Sequence, residues 1–120
     1  MLDTNTKDAL LTAQNILFRL GFHPLFRGTL YMSEALILVH KDPSAPYRVM
    51  DKVYKPLAER HGKSVGSIET NMRRALKDAF DNGNKKVLCR LVHRNTGQPT
   101  VSEFLLLLYQ QMLFDQRYRQ

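Results

Sequence analysis

The stretch from Lys55 to Leu76, Lys-Pro-Leu-Ala-Glu-Arg-His-Gly-Lys-Ser-Val-Gly-Ser-Ile-Glu-Thr-Asn-Met-Arg-Arg-Ala-Leu, constrains the fold more than any other part of the chain. It divides into a short helix, a tight turn and a longer helix, the outline of a helix-turn-helix. In the second helix Val65, Ile68, Met72, Ala75, Leu76 and Ala79 recur at steps of three and four, which places them on one face. Ser67, Thr70, Arg74 and Lys77 fall on the opposite face, with Glu69 and Arg73 on one flank. Short polar donors and arginines are the groups that read base edges and grip phosphates. Lys63, Ser64, Ser67, Glu69, Thr70, Arg73, Arg74 and Lys77 are therefore the candidate DNA-binding residues.

The turn has its own chemistry. Gly62 is free to take the left-handed conformation that closes a helix, and Ser64 is placed to cap the next one. Ala58 is small where the two helices would cross, and Ile68 follows ten residues later on the buried side. His61 and Lys63 stand where such a motif more usually has apolar residues. The bland alternative is a helical hairpin with a solvated charged face.

Charge points the same way as the motif. The 120 residues carry a net charge of +7, which favours polyanionic partners, nucleic acid first and acidic membrane surfaces second. A single cysteine, Cys89, excludes an internal disulfide. The first residues do not resemble a signal peptide, and no apolar run approaches the ~18 residues of a membrane span. These features predict a soluble cytoplasmic protein, with residues 1–120 as one domain.

The remaining periodicity predicts an all-α fold of about six helices, the helix-turn-helix lying in helices near 47–61 and 64–81. A first helix, from Thr6 to Leu20 with Thr4 or Thr6 as cap, ends at Gly21. A loop follows whose Phe22, Leu25 and Phe26 are expected to tuck against the core. The second helix, about Thr29 to His40, has little polar face and is expected to be central. Pro56 either kinks the third helix or opens a new one. Asp81-Asn82-Gly83-Asn84 stops the fourth. A short fifth helix sets Val87, Leu88, Leu91 and Val92 on one face, and the sixth opens at Thr100 or Ser102.

Catalytic chemistry is not in view. His23, His40, His61 and His93 are scattered without metal-ligand spacing, so each reads as a surface or partly buried side chain and no metal is expected. Cys89 shares a helix with Leu88 and Val92, the setting of an inert buried thiol. The glycines are too dispersed for a phosphate loop, and Glu59, Glu69 and Asp78 form no special carboxylate pair. Neither an enzyme nor a cofactor is expected.

Several segments together carry a family likeness: Arg27 to Ala35 (RGTLYMSEA), Lys52 to Ala58 (KVYKPLA), Ser67 to Leu76 (SIETNMRRAL), Asn82-Gly83-Asn84, and Pro99 to Phe104 (PTVSEF). In this order and spacing, from about Ile16 to Leu113, the chain resembles the C-terminal effector domain of the stage-zero sporulation response regulator. The resemblance implies six helices, a fourth helix reading a short DNA box, tandem dimers on DNA, and contact with the sigma subunit of RNA polymerase during activation. It implies base and phosphate contacts at the positions of Ser67, Glu69, Thr70, Arg73 and Arg74. Glu69 and Arg73 agree with the family pattern; Ser67 and Thr70 replace arginines, and Arg74 replaces a histidine. A serine cannot make the two-pronged contact of arginine with guanine, so the family's target sequence does not carry over. The family's full-length member has a receiver domain ahead of this one, and none is present in these 120 residues.

Two further surfaces follow. Lys85, Lys86, Arg90 and Arg94 form a basic patch on the fifth helix, suited to polymerase or to DNA phosphates. Phe104 to Tyr109 is apolar at consecutive positions, more than one stripe of a helix can bury. With Phe104, Leu107 and Leu108 taken as that stripe, Leu105, Leu106 and Tyr109 are expected to form a weak dimer surface on DNA. The alternative function is a protein-interaction module that keeps the fold without specific DNA reading, favoured by the loss of arginine at Ser67 and Thr70.

Overall fold

The computed structural model describes residues 4–92 and 98–118, with side-chain surroundings for 7–88, 90 and 98–113. Among these residues there are six α-helices and no strand: α1 (Thr4–Arg19), α2 (Arg27–Lys41), α3 (Lys55–His61), α4 (Val65–Asn82), α5 (Lys85–Val92) and α6 (Val101–Tyr118). The all-α expectation is met. The Thr4 or Thr6 cap, the Cys89 thiol, His93 and Arg94 fall outside the described side chains.

The central position of α2 follows from its composition. Gly28, Tyr31, Met32, Ala35, Leu36 and Val39 are all buried, and α1, α3, α4 and α6 pack around it. Leu30, on the same helix, is 46% exposed. The crossing of α2 and α4 is close: a Cβ on Gly28 would stand 1.9 Å from the Asn71 carbonyl oxygen. A second close approach joins the two corners of the bundle. Gly21 (φ +92°) lies against the Gly83 backbone, and the Asn84 N–H donates to the Leu20 carbonyl at 3.1 Å. Any side chain at Gly21 would meet both strain and backbone atoms.

The connection into α3 settles the role of Pro56. A short 3-10 turn, Ala45–Arg48, is followed by a π-helical turn, Met50–Tyr54, that runs directly into α3. The Lys55 N–H bonds to the Met50 carbonyl, five residues back. A proline ring clashes with the carbonyl four residues before it and offers no N–H. Widening the preceding turn accommodates both, so Pro56 sits in the first turn of α3 and the chain never leaves a helical path.

Two loop residues and one helix depart from expectation. Phe22 is buried, but Leu25 is 86% exposed and Phe26 40% exposed. Phe26 stacks on the His23 ring, and His23 Nδ1 accepts from the Leu25 N–H, so the loop satisfies itself and leaves both apolar side chains outward. In α6 the buried stripe is Val101, Phe104, Leu105, Leu108 and Met112. Leu105 is fully buried and is not available as a dimer surface. The helix contacts α2, α4, α5 and the 3-10 turn, so it is enclosed on more sides than a single stripe allows. Leu106 and Tyr109 are half-buried, and Tyr109 packs against the core. The start of α6 carries a reciprocal cap: the Glu103 N–H donates to Thr100 Oγ1 and the Thr100 N–H to Glu103 Oε1, each at 3.2 Å. Thr-x-x-Glu at residues 100–103 is the sequence sign of this cap.

Candidate nucleic-acid interface

The turn between α3 and α4 is built as its residues require. Gly62 takes φ 62° and ψ 38°, the left-handed conformation. The Lys63 N–H donates to the Ala58 carbonyl at 3.0 Å and the Gly62 N–H to the Glu59 carbonyl at 3.4 Å, which together close α3. Ser64 then caps α4, its Oγ accepting the Ser67 N–H at 3.0 Å. Ala58 and Ile68 are both buried where the helices meet.

His61, out of place as an apolar position, has a polar partner instead. Its Nε2 lies 2.6 Å from Glu34 Oε2, and its ring packs on Tyr31 with centroids 4.9 Å apart. Arg60 Nε lies 3.2 Å from Glu34 Oε1. The end of α3 is thus fixed to α2 by an ionic and aromatic contact. Nothing local in the sequence signals it, because the partners lie far apart in the chain.

With α3 held in this way, α4 presents its polar face outward. Ile68, Met72, Ala75, Leu76 and Ala79 are buried, as the periodicity predicts. Arg73, Arg74 and Lys77 are exposed, and Ser67, Glu69 and Thr70 are half-buried. From Ser67 to Lys77 the helix rises about 15 Å, roughly four base-pair steps, and its width matches a major groove of about 12 Å. Lys63 and Ser64 are exposed at the turn beside the start of this ridge.

The charges on the ridge are not equivalent. Arg73 Nη1 lies 2.7 Å from Glu69 Oε1, and Lys77 Nζ lies 2.7 Å from Asp81 Oδ2. The Asp81 carboxylate raises the Lys77 pKa, chiefly through this hydrogen bond and then by its charge. Arg74 and Lys63 have no such partner among the described residues. An exposed pair four residues apart on a helix is worth about 0.3–0.5 kcal/mol, whereas a good bidentate base contact is worth about 1–3 kcal/mol. The Glu69 pairing therefore holds Arg73 in place without locking it.

On the far flank of α4, Glu69 and Arg73 line a shallow recess with Tyr54, Gln98, Thr100 and Ser102. Burial raises the Tyr54 phenol pKa, Glu69 adding to the effect and Arg73 opposing it. Motif reasoning missed Tyr54 and Ser102, which reach α4 only through tertiary packing. Of the basic patch on α5, Lys85, Lys86 and Arg90 are exposed; Leu88 is buried, while Val87 is 37% exposed.

Residues 13–112 match the family model described as sporulation initiation factor Spo0A C terminal. The match covers most of the chain. The chain belongs to this family. Spo0A C-terminal domains are DNA-binding effector domains of sporulation transcription regulation, not a family of enzymes. The matched span takes in α2, α3, α4 and α5 whole. Among the described residues no group of three or more His, Cys, Asp or Glu is placed to hold a metal ion. No described helix is long and apolar enough to cross a membrane.

Proposed function

We propose that this Spo0A C-terminal domain is a sequence-specific DNA-binding transcription regulator, with α4 entering the major groove. The observation that carries the proposal is the exposed ridge of α4, held outward by a closed turn and by the Glu34 contact at the end of α3. In this assignment Arg73, released from Glu69, reads a base edge, while Arg74, Lys63 and Lys77 grip phosphates. Ser67 and Thr70 make short polar contacts with bases, and Ser64 remains the helix cap. Residues 1–120 act as one effector domain. It pairs weakly on DNA through the remaining outer residues of α6, Leu106 and Tyr109. Lys85, Lys86 and Arg90 face the polymerase sigma subunit.

Selection of duplexes from a random pool, followed by titration across a salt series, tests the proposal. Enrichment of a defined sequence, with affinity falling linearly in log salt, is expected. The alternative is a protein-interaction module, favoured by the two arginines missing at Ser67 and Thr70 and by the carboxylates that neutralise Arg73 and Lys77. No enrichment and no bulk DNA binding at low salt decides for that module.

A further inference from the structure

Arg27 lies outside the helix-turn-helix, yet the packing brings it to the edge of the α4 ridge. Helices α2 and α3 run antiparallel in a register fixed by their contacts. Lys41 and Leu38 share a surface recess with Pro56 at the start of α3, Glu34 pairs with Arg60, and Tyr31 packs on His61. Residues 27, 31 and 34 share one face of a helix. One turn before Tyr31, this line points past the end of α3, towards the side of the bundle that carries the turn at Gly62, Lys63 and Ser64.

A second observation fixes the same position from the other side. A Cβ on Gly28 would stand 1.9 Å from the Asn71 carbonyl oxygen and 2.8 Å from the Ala75 Cβ. Consecutive Cα atoms are ~3.8 Å apart, so the Arg27 backbone is held within one residue of the α4 crossing. Asn71 in turn donates to the Ser67 carbonyl at 2.8 Å, on the flank of α4 that carries Ser67. Arg27 is exposed, and its side chain has no ion pair or hydrogen bond among the described residues.

We infer that Arg27 is a phosphate-binding residue that grips the DNA backbone beside the groove entered by α4. The assignment rests on the proposed entry of α4 into DNA and adds a contact supplied from outside the motif. A guanidinium suits the role, because its fork holds two phosphate oxygens at once. A contact of this kind positions the protein without selecting sequence.

The test is a salt series of fluorescence anisotropy titrations with the full chain, on a duplex enriched by selection and on a scrambled one. Arg27→Ala is expected to lower affinity about five- to tenfold at 0.1 M salt on both duplexes, and to reduce the salt slope by about 0.9. The ranking of base substitutions should not change. Lys41→Ala removes the same charge about 21 Å away at the other end of α2, and should leave the slope as it was. An Arg27→Ala slope equal to that of Lys41→Ala overturns the inference while the proposed function stands. A changed base ranking also overturns it, since Arg27 would then read a base. Wild-type protein without salt-dependent DNA binding removes the proposed function, and the Arg27 assignment with it.

Discussion

Replacing Gly28 by alanine tests how closely α4 is held against α2. The new Cβ would stand 1.9 Å from the Asn71 carbonyl oxygen, where ordinary contact begins at 3.4 Å. The obstacle is backbone, which cannot swing aside as a side-chain tip can. Helices α2 and α4 must part by about 1.5 Å, and a gap of even 0.5–1 Å forfeits roughly a quarter to a half of each dispersion contact across it. Overpacking of this kind costs about 1–3 kcal/mol, and a backbone obstacle puts Gly28→Ala at the upper end. The better helix propensity of alanine returns up to ~1 kcal/mol, leaving a net loss of about 2 kcal/mol. Gly66→Ala is the internal control. Its Cβ would meet nothing nearer than Ser64 Oγ at 4.0 Å, so only the propensity gain of about 0.5–1 kcal/mol remains. Urea unfolding followed by circular dichroism should move the two midpoints in opposite directions at unchanged slope. A Gly28→Ala protein as stable as wild type refutes the reasoning, because the glycine would then not set the helix separation.

Other consequences are open to measurement. Glu34→Ala removes the partner of a half-buried histidine and should cost about 2 kcal/mol in urea unfolding, whereas Arg60→Ala, at a 61% exposed side chain, should cost less than ~1 kcal/mol. On DNA, Arg73→Ala should lose about 1–3 kcal/mol and relax preference at one base pair, while Arg74→Ala should weaken all sequences alike; competition titrations separate the two patterns. Charge reversal at Lys86 and Arg90 should lower transcription activation and spare DNA affinity, and equal losses in both assays would assign these residues to DNA phosphates. Leu106→Glu should leave binding to one box intact and abolish cooperative binding to two adjacent boxes, a difference visible in gel-shift titrations.

What the sequence made legible was local. The α4 stripe, the left-handed Gly62, the Ser64 cap and the stop at Asn82-Gly83-Asn84 all depend on residues within a turn or two of each other. Periodicity also gave α2 its central place, yet a stripe does not say where a neighbouring helix stops, and Leu30 is left exposed. Leu105 was misread for the converse reason: α6 is covered from several directions, and the number of covering elements cannot be counted along one helix. Leu25 and Phe26 lie in a loop, where hydropathy has no period to obey. His61 looked like a flaw in the motif until Glu34 and Tyr31, far away in sequence, came to face it. The candidate interface divides along the same line. Its ridge could be read from spacing, whereas the approach of Tyr54 and Arg27 to its flanks is a product of tertiary packing.

The hydrogen bond from Asn84 to Leu20, beside the close approach of Gly21 and Gly83, closes a loop that contains all of α2, α3 and α4. In kinetic terms it is a latch of high contact order. It forms only after much chain has been gathered in, and closure of so long a loop costs little more entropy than closure of one half as long. The Asn84 amide loses its acceptor when the two corners separate, so its exchange with deuterium should report that separation rather than fraying of α5. The latch ties the end of α1 to the end of α4, so the chain of α2, α3 and α4 is gathered between two joined corners.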